Sequence, residues 1–90
     1  MALTVGFFDS GIGGKCILEA FRRLCPDVDT VYLGDSANCP YGNKSSEEIF
    51  RLSDACVGEL LERGCRIIVI ACNTATAAAI DRLRRKYPDV

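Results

Sequence analysis

Three short polar stretches of this chain carry side chains able to do chemistry: Asp9-Ser10, Asp35-Ser36 with Pro40-Tyr41-Gly42 soon after it, and Cys72-Asn73-Thr74. Cys72 is the most telling. The residues before it, Ile67-Ile68-Val69-Ile70, form a β-branched run, the pattern of a strand buried on both faces of a parallel sheet. The alanines after Thr74 are strong helix formers, and Asn73 or Thr74 can serve as the N-cap. Cys72 is therefore expected where a central strand ends and a helix begins. In open α/β sheets that edge is where ligands bind. A helix N-terminus also favours a thiolate, through its unpaired N–H groups and its dipole, so a reactive cysteine there has a physical rationale.

The elements that must hold these stretches are legible along the chain. Leu3 to Phe8 reads as a first strand, ending in the glycine-rich turn Asp9-Ser10-Gly11-Ile12-Gly13-Gly14. A helix follows from about Gly13 to Leu24, with Ile17, Ala20, Phe21 and Leu24 at helical spacing and Pro26 to stop it. Thr30 to Gly34 is a second strand, and Asp35 to Lys44 a loop. Ser45 and Glu48 have capping-box spacing at the head of a second helix. Its apolar stripe is Ile49, Leu52, Cys56, Leu60 and Leu61, and Gly64 suits its C′ position. Arg66 to Ala71 is the third strand. The third helix runs from Thr74 to about Lys86, with Ile80, Leu83 and Tyr87 inward.

This β-α-β-α-β-α order predicts an α/β fold, a three-layer parallel sheet with right-handed crossovers. Its three strand-to-helix loops then gather on one edge, because all parallel strands end on the same side. Three strands make a thin sheet, so the 90 residues are expected to be the opening, incomplete N-terminal α/β domain of a larger protein.

Composition narrows the function. A net charge of −1 gives no global attraction to nucleic acid or anionic lipid. The run Arg82, Arg84, Arg85 and Lys86 most simply complements a helix C-terminus. No apolar run is long enough for a membrane span, and Met1 to Phe8 lacks a basic leader, which points to a cytoplasmic protein. Six cysteines occur without a C-x-x-C and without histidine, so zinc and disulfide frameworks are poor readings. Apart from Cys72, they are expected to be small buried hydrophobes, Cys39 in its loop being the least secure.

Nucleotide motifs fail at the first loop. In a Walker A pattern Asp9 would stand at the first glycine and Cys16 at the hydroxyl. Cys16 also occupies the third glycine position of a dinucleotide fingerprint, and an aspartate would repel phosphate. Taken singly, Asp9-Ser10 and Asp35-Ser36 read equally as Asx turns or caps, Pro40-Tyr41-Gly42 as a simple turn, and Cys72 as a buried structural thiol.

Taken together they resemble a known family. Phe8-Asp9-Ser10-Gly11-Ile12-Gly13-Gly14, Gly34-Asp35-Ser36-Ala37 with Pro40-Tyr41-Gly42, and Ala71-Cys72-Asn73-Thr74-Ala75 look like three motifs of the glutamate racemases, in the family's order and spacing. These belong to the cofactor-independent aspartate/glutamate racemase superfamily. The resemblance implies a larger two-domain racemase fold and interconversion of L- and D-glutamate for peptidoglycan, with no cofactor and no metal. It implies Cys72 as one of two catalytic cysteines, with Asp9 beside it. Asp9 and Ser10 would meet the substrate's amino group, Pro40, Tyr41 and Gly42 would hold a carboxylate through backbone N–H groups, and Asn73 and Thr74 would bind the other end.

The family's second cysteine, on a later Cys-Thr-His motif, has no counterpart in these residues, so they carry one catalytic half. Asn38 stands where a basic residue is common, and Lys15-Cys16 where an apolar residue and threonine are common. As partners, the resemblance implies a small-molecule substrate, a homodimer of the complete protein and a DNA gyrase contact, with no membrane and no direct nucleic-acid binding. Two other readings stand beside it: a racemase of aspartate or a related acid, and a truncated non-catalytic binding module.

Overall fold

The computed structural model describes residues 3–11 and 13–90. Met1 and Ala2 of the expected N-terminus, and Ile12 of the first loop, lie outside the described residues. In chain order the elements are strand β1 (Thr4–Asp9), helix α1 (Lys15–Leu24), strand β2 (Asp29–Gly34), two 3-10 turns (Ser36–Asn38 and Tyr41–Asn43), helix α2 (Ser46–Glu62), strand β3 (Ile67–Ile70) and helix α3 (Asn73–Lys86). The α/β alternation is as the sequence predicts.

The sheet is parallel throughout, in the order β2-β1-β3. Pairing runs from Thr4↔Asp29 to Asp9↔Gly34 on one side of β1 and from Val5↔Ile67 to Phe8↔Ile70 on the other. Here one expectation is corrected. β1 is the central strand and β3 flanks it, so Cys72 follows a flanking strand. Ile67 is 48% exposed, and Ile68, Val69 and Ile70 are only half-buried, because β-branching reports strand propensity and not two-sided burial.

The two faces of β1 bury different partners, as the alternation of strand side chains requires. Val5 and Phe7 pack with Leu18 and Phe21 of α1, the rings of Phe7 and Phe21 meeting edge-on at 5.3 Å. Phe8 packs on the other face with Tyr41, Ile49, Leu60, Cys65, Cys72 and Ala75. Helices thus cover both faces, giving three layers.

The helical stripes are turned slightly from their expected positions. In α1 the buried residue is Leu18, while Ile17 is 45% and Leu24 83% exposed. Cys16 faces solvent beside Ile17, so the expectation that it is buried fails for the same reason. Cys39 is exposed as well. In α2 the buried residues include Ser53 and Val57 besides Ile49 and Leu60. In α3 they are Ala75, Ala79 and Leu83, the two alanines being small enough to let α3 lie close against α2.

Caps fix where the helices start and stop. The Ser45 hydroxyl accepts from the Glu48 N–H at 3.2 Å. At the far end of α2, Cys65 N–H donates to Leu60 O and Gly64 N–H to Leu61 O, a Schellman pair that needs a left-handed residue. Gly64 supplies it at φ +89°. Among the described residues no helix is long and apolar enough to cross a membrane.

Ser53 is wholly buried, and its hydroxyl has no hydrogen-bond partner. Such a group costs about 1–3 kcal/mol relative to a satisfied one. Ser53→Ala is therefore expected to raise unfolding stability by roughly 1 kcal/mol, read as a higher urea midpoint at unchanged slope.

Candidate active site

The three strand-to-helix loops do gather at one edge of the sheet. Ala71 N–H donates to Phe8 O, and Asp35 N–H to Asp9 O, so the ladder brings Asp9, Asp35 and Cys72 to the same end. Asp9 and Cys72 are both buried, at 5% and 8% exposure. Ser10 is half-buried, and Pro40, Gly42, Asn73 and Thr74 are exposed.

Cys72 is itself the N-cap of α3, a role the sequence suggested for Asn73 or Thr74. It has extended backbone, and its Sγ accepts from the Ala75 N–H at 3.4 Å. Its carbonyl accepts from the N–H and the hydroxyl of Thr76. Asn73 and Thr74 are instead the first two helical residues, with N–H groups at a helix start that find no partner within the helix. The Cys72 thiol lies 3.3 Å from the Ser10 hydroxyl, which is the contact that joins the third loop to the first.

Asp9 is held more tightly. One carboxylate oxygen accepts from the Ser10 N–H at 2.7 Å. The other accepts from the Gly14 N–H and from the Tyr32 hydroxyl, the latter at 3.3 Å. The same hydroxyl reaches Gly11 O at 3.1 Å. Burial, and then the Asp9 charge, raise the Tyr32 phenol above its usual range, so it stays protonated as a donor.

β2 presses on the first loop through Gly34 as well. A Cβ at Gly34 would stand 2.3 Å from Gly11 O and 3.2 Å from the Tyr32 ring. Only glycine fits that approach.

The second loop is knotted by Asp35. Its carboxylate accepts from Asn38 Nδ2 at 2.9 and 3.1 Å and from the Tyr41 hydroxyl at 2.6 Å. The Tyr41 ring packs against that of Phe8, and the whole residue is buried. Tyr41–Asn43 is a 3-10 turn preceded by Pro40 and packed near α3, and its opening N–H groups lack partners within the turn. Burial, then the Asp35 hydrogen bond, raise the Tyr41 phenol and keep it a donor. Burial, then the Asp35 and Glu59 charges, push the Cys56 thiol up to about 11.

Of the residues singled out in the sequence, Asp9, Ser10 and Cys72 form one connected group. The Pro40-Tyr41-Gly42 turn and the Asn73-Thr74 helix start border the same edge without a hydrogen bond to that group. Tyr32 was missed, because a lone tyrosine in a strand carries no pattern, and Gly34 was quoted only as the first residue of a motif. Asp35 was seen only as part of a motif, and its work is to fasten Asn38 and Tyr41. Among the described residues no three His, Cys, Asp or Glu side chains come together as a metal cluster.

A cleft of about 230 Å³ runs beside Ile70, Leu83 and Tyr87, and one of about 220 Å³ beside Asp35 and Cys56. Neither is lined by Cys72.

No protein-family model matches the chain. It is 47% identical over 89 residues to the glutamate racemase of Roseiflexus sp. (strain RS-1), covering 99% of this chain and 33% of the relative. The crystal structure of the glutamate racemase from Aquifex pyrophilus matches with a TM-score of 0.91 and 49% identity, over 93% of this chain and 33% of that one. The glutamate racemase from Francisella tularensis, solved with D-glutamate, matches with a TM-score of 0.86 and 37% identity, over 92% of this chain and 32% of that one.

Two outcomes are expected from this geometry. Gly34→Ala forces its methyl group against Gly11 O and is expected to destabilise the fold by roughly 1–3 kcal/mol, read by urea denaturation. The raised Cys56 thiol is protonated in the fold to higher pH than in the unfolded chain. Its contribution is therefore complete below pH 9.0 and lost as pH rises through about 11. Denaturation midpoints should fall across that window, and less steeply in Cys56→Ala.

Proposed function

We propose that this chain, a homologue of glutamate racemases spanning about a third of their length, supplies one catalytic half of a glutamate racemase. The observation that carries the reading is the Cys72 thiol, capping α3 and touching Ser10 next to a buried Asp9 that already accepts from three donors.

In this reading the Cys72 thiolate removes the α-proton of glutamate from one face, and an acid outside these 90 residues returns a proton to the opposite face. The electron pair left on the α-carbon delocalises into the substrate carboxylate, whose growing charge needs preorganised donors. The free N–H groups at the start of the Tyr41–Asn43 turn and of α3 are such donors, and a helix start suits an anion. Pro40, Tyr41 and Gly42 would take one carboxylate, and Asn73 and Thr74 the other.

Asp9 would face the ammonium group. A carboxylate offers about four lone-pair positions, and three are already filled by Ser10, Gly14 and Tyr32. One is left for a substrate cation. The Ala75 N–H donates to the Cys72 sulfur and fixes where it stands at the head of α3.

At full length the reading extends to a cytoplasmic enzyme working as a homodimer on a small-molecule substrate, feeding D-glutamate into peptidoglycan and so cell shape. Residues 1–90 would be the N-terminal α/β part of that enzyme, facing a second domain across the substrate.

The test is Cys72→Ser in the protein at its full natural length. Turnover of both L- and D-glutamate is expected to fall by roughly 10²–10⁴-fold with the fold retained. Undiminished racemisation would remove Cys72 from the chemistry. Parallel assays on aspartate decide the substrate, since faster turnover of aspartate would replace glutamate in the reading.

A further inference from the structure

The Asp9 carboxylate receives a side-chain donor from a residue that the three sequence motifs do not include. Tyr32 lies in the middle of β2, paired in register with Phe7, two residues before Asp9 in β1. Its hydroxyl reaches Asp9 Oδ2 at 3.3 Å and Gly11 O at 3.1 Å. Tyr32 is half-buried, and its ring packs with the cluster formed by Val5, Phe7 and Leu18. The ring therefore fixes where the hydroxyl stands, and the hydroxyl spans the two parts of the first loop.

We infer that Tyr32 is a positioning residue of the reaction, orienting the Asp9 carboxylate and the Gly11 carbonyl so that Ser10 between them meets the Cys72 thiol. The other two donors on Asp9 come from the loop's own backbone and move with it. Tyr32 alone ties that loop's carboxylate to the neighbouring strand by a side chain. Gly34, two residues further along β2, leaves the room in which the Gly11 carbonyl sits, since a Cβ there would stand 2.3 Å from its oxygen. The titratable groups near this contact are Asp9 itself, Cys16 on the first turn of α1, whose Sγ donates to Gly13 O, and Cys72 beyond Ser10.

The inference rests on the racemase reading for its kinetic test and on geometry for its spectroscopic one. In the protein at full natural length, Tyr32→Phe keeps the ring and deletes the donor. It is expected to lower kcat for glutamate about tenfold with a smaller change in KM. The ¹³C chemical shift of the Asp9 carboxyl at neutral pH is expected to move in the same variant, because a carboxylate carbon responds to the donors on its oxygens. Fluorotyrosine at position 32 makes the same hydroxyl a stronger donor, and is expected to move that signal in the opposite direction.

Parental kcat in a folded Tyr32→Phe protein would overturn the inference. So would an Asp9 carboxyl signal indifferent to both substitutions. If the parent protein turns over no glutamate, the racemase reading fails, and the carboxyl signal still decides whether Tyr32 orients Asp9. Should Tyr32→Phe fail to fold, the fluorotyrosine protein decides alone, by whether the Asp9 carboxyl signal moves.

Discussion

The loop edge depends on one constraint: a carboxylate buried at the end of the central strand must find donors from its surroundings. Asp9 is 5% exposed, and desolvating a carboxylate without partners would cost several kcal/mol. The donors that answer it come from the turn it opens, through Ser10 and Gly14, and from the next strand, through Tyr32. Meeting that need curls the first loop back over the end of β1 and sets Ser10 toward Cys72. The position of the thiol relative to its neighbours is thus a by-product of satisfying Asp9.

A similar economy governs the other two loops. Asp35 spends its carboxylate on Asn38 and Tyr41, so the second loop is closed by its own side chains and the Tyr41 ring is drawn into the core. In the third loop the cap is a thiol, because the Cys72 sulfur receives an N–H of the helix it begins. Serine, threonine or aspartate would cap more strongly, and a thiol in that place is a weaker cap with a more useful chemistry. A thiol at this position is hard to account for by helix stability alone.

Element type and order were legible in the sequence because each helix announces itself by period and by punctuation. Pro26, Ser45 and Gly64 mark boundaries through backbone geometry, which acts locally and can be read locally. Burial was less legible. The run Ile67 to Ile70 reads as a core strand, yet it flanks the sheet, since strand order is set by long-range pairing that no single segment records. Leu18 displaced Ile17 and Leu24 from the buried face of α1, and Cys16 was turned out with them, because a ten-residue helix gives too few turns to fix its rotation. At the site, Asp9, Ser10 and Cys72 were recognisable by type and motif. Tyr32 was not, and Gly34 only as the first residue of a motif, because their importance lies in what stands opposite them across the sheet.

The strand order β2-β1-β3 has a consequence for how the edge comes into being. The strand that ends at the centre is the earliest of the three in the chain, so during synthesis β1 emerges with neither neighbour available. Its first partner follows within one crossover, but the contact between Ser10 and Cys72 joins residues 62 positions apart. Each doubling of such a span adds roughly 0.6 kcal/mol of closure entropy, so the thiol is the last of the three loops' groups whose seating becomes possible. Asp9, Ser10 and Tyr32 can be in place before Cys72 has left the ribosome. The nascent protein therefore carries its carboxylate without its thiol, and the chemical pairing arises as a late event of chain growth.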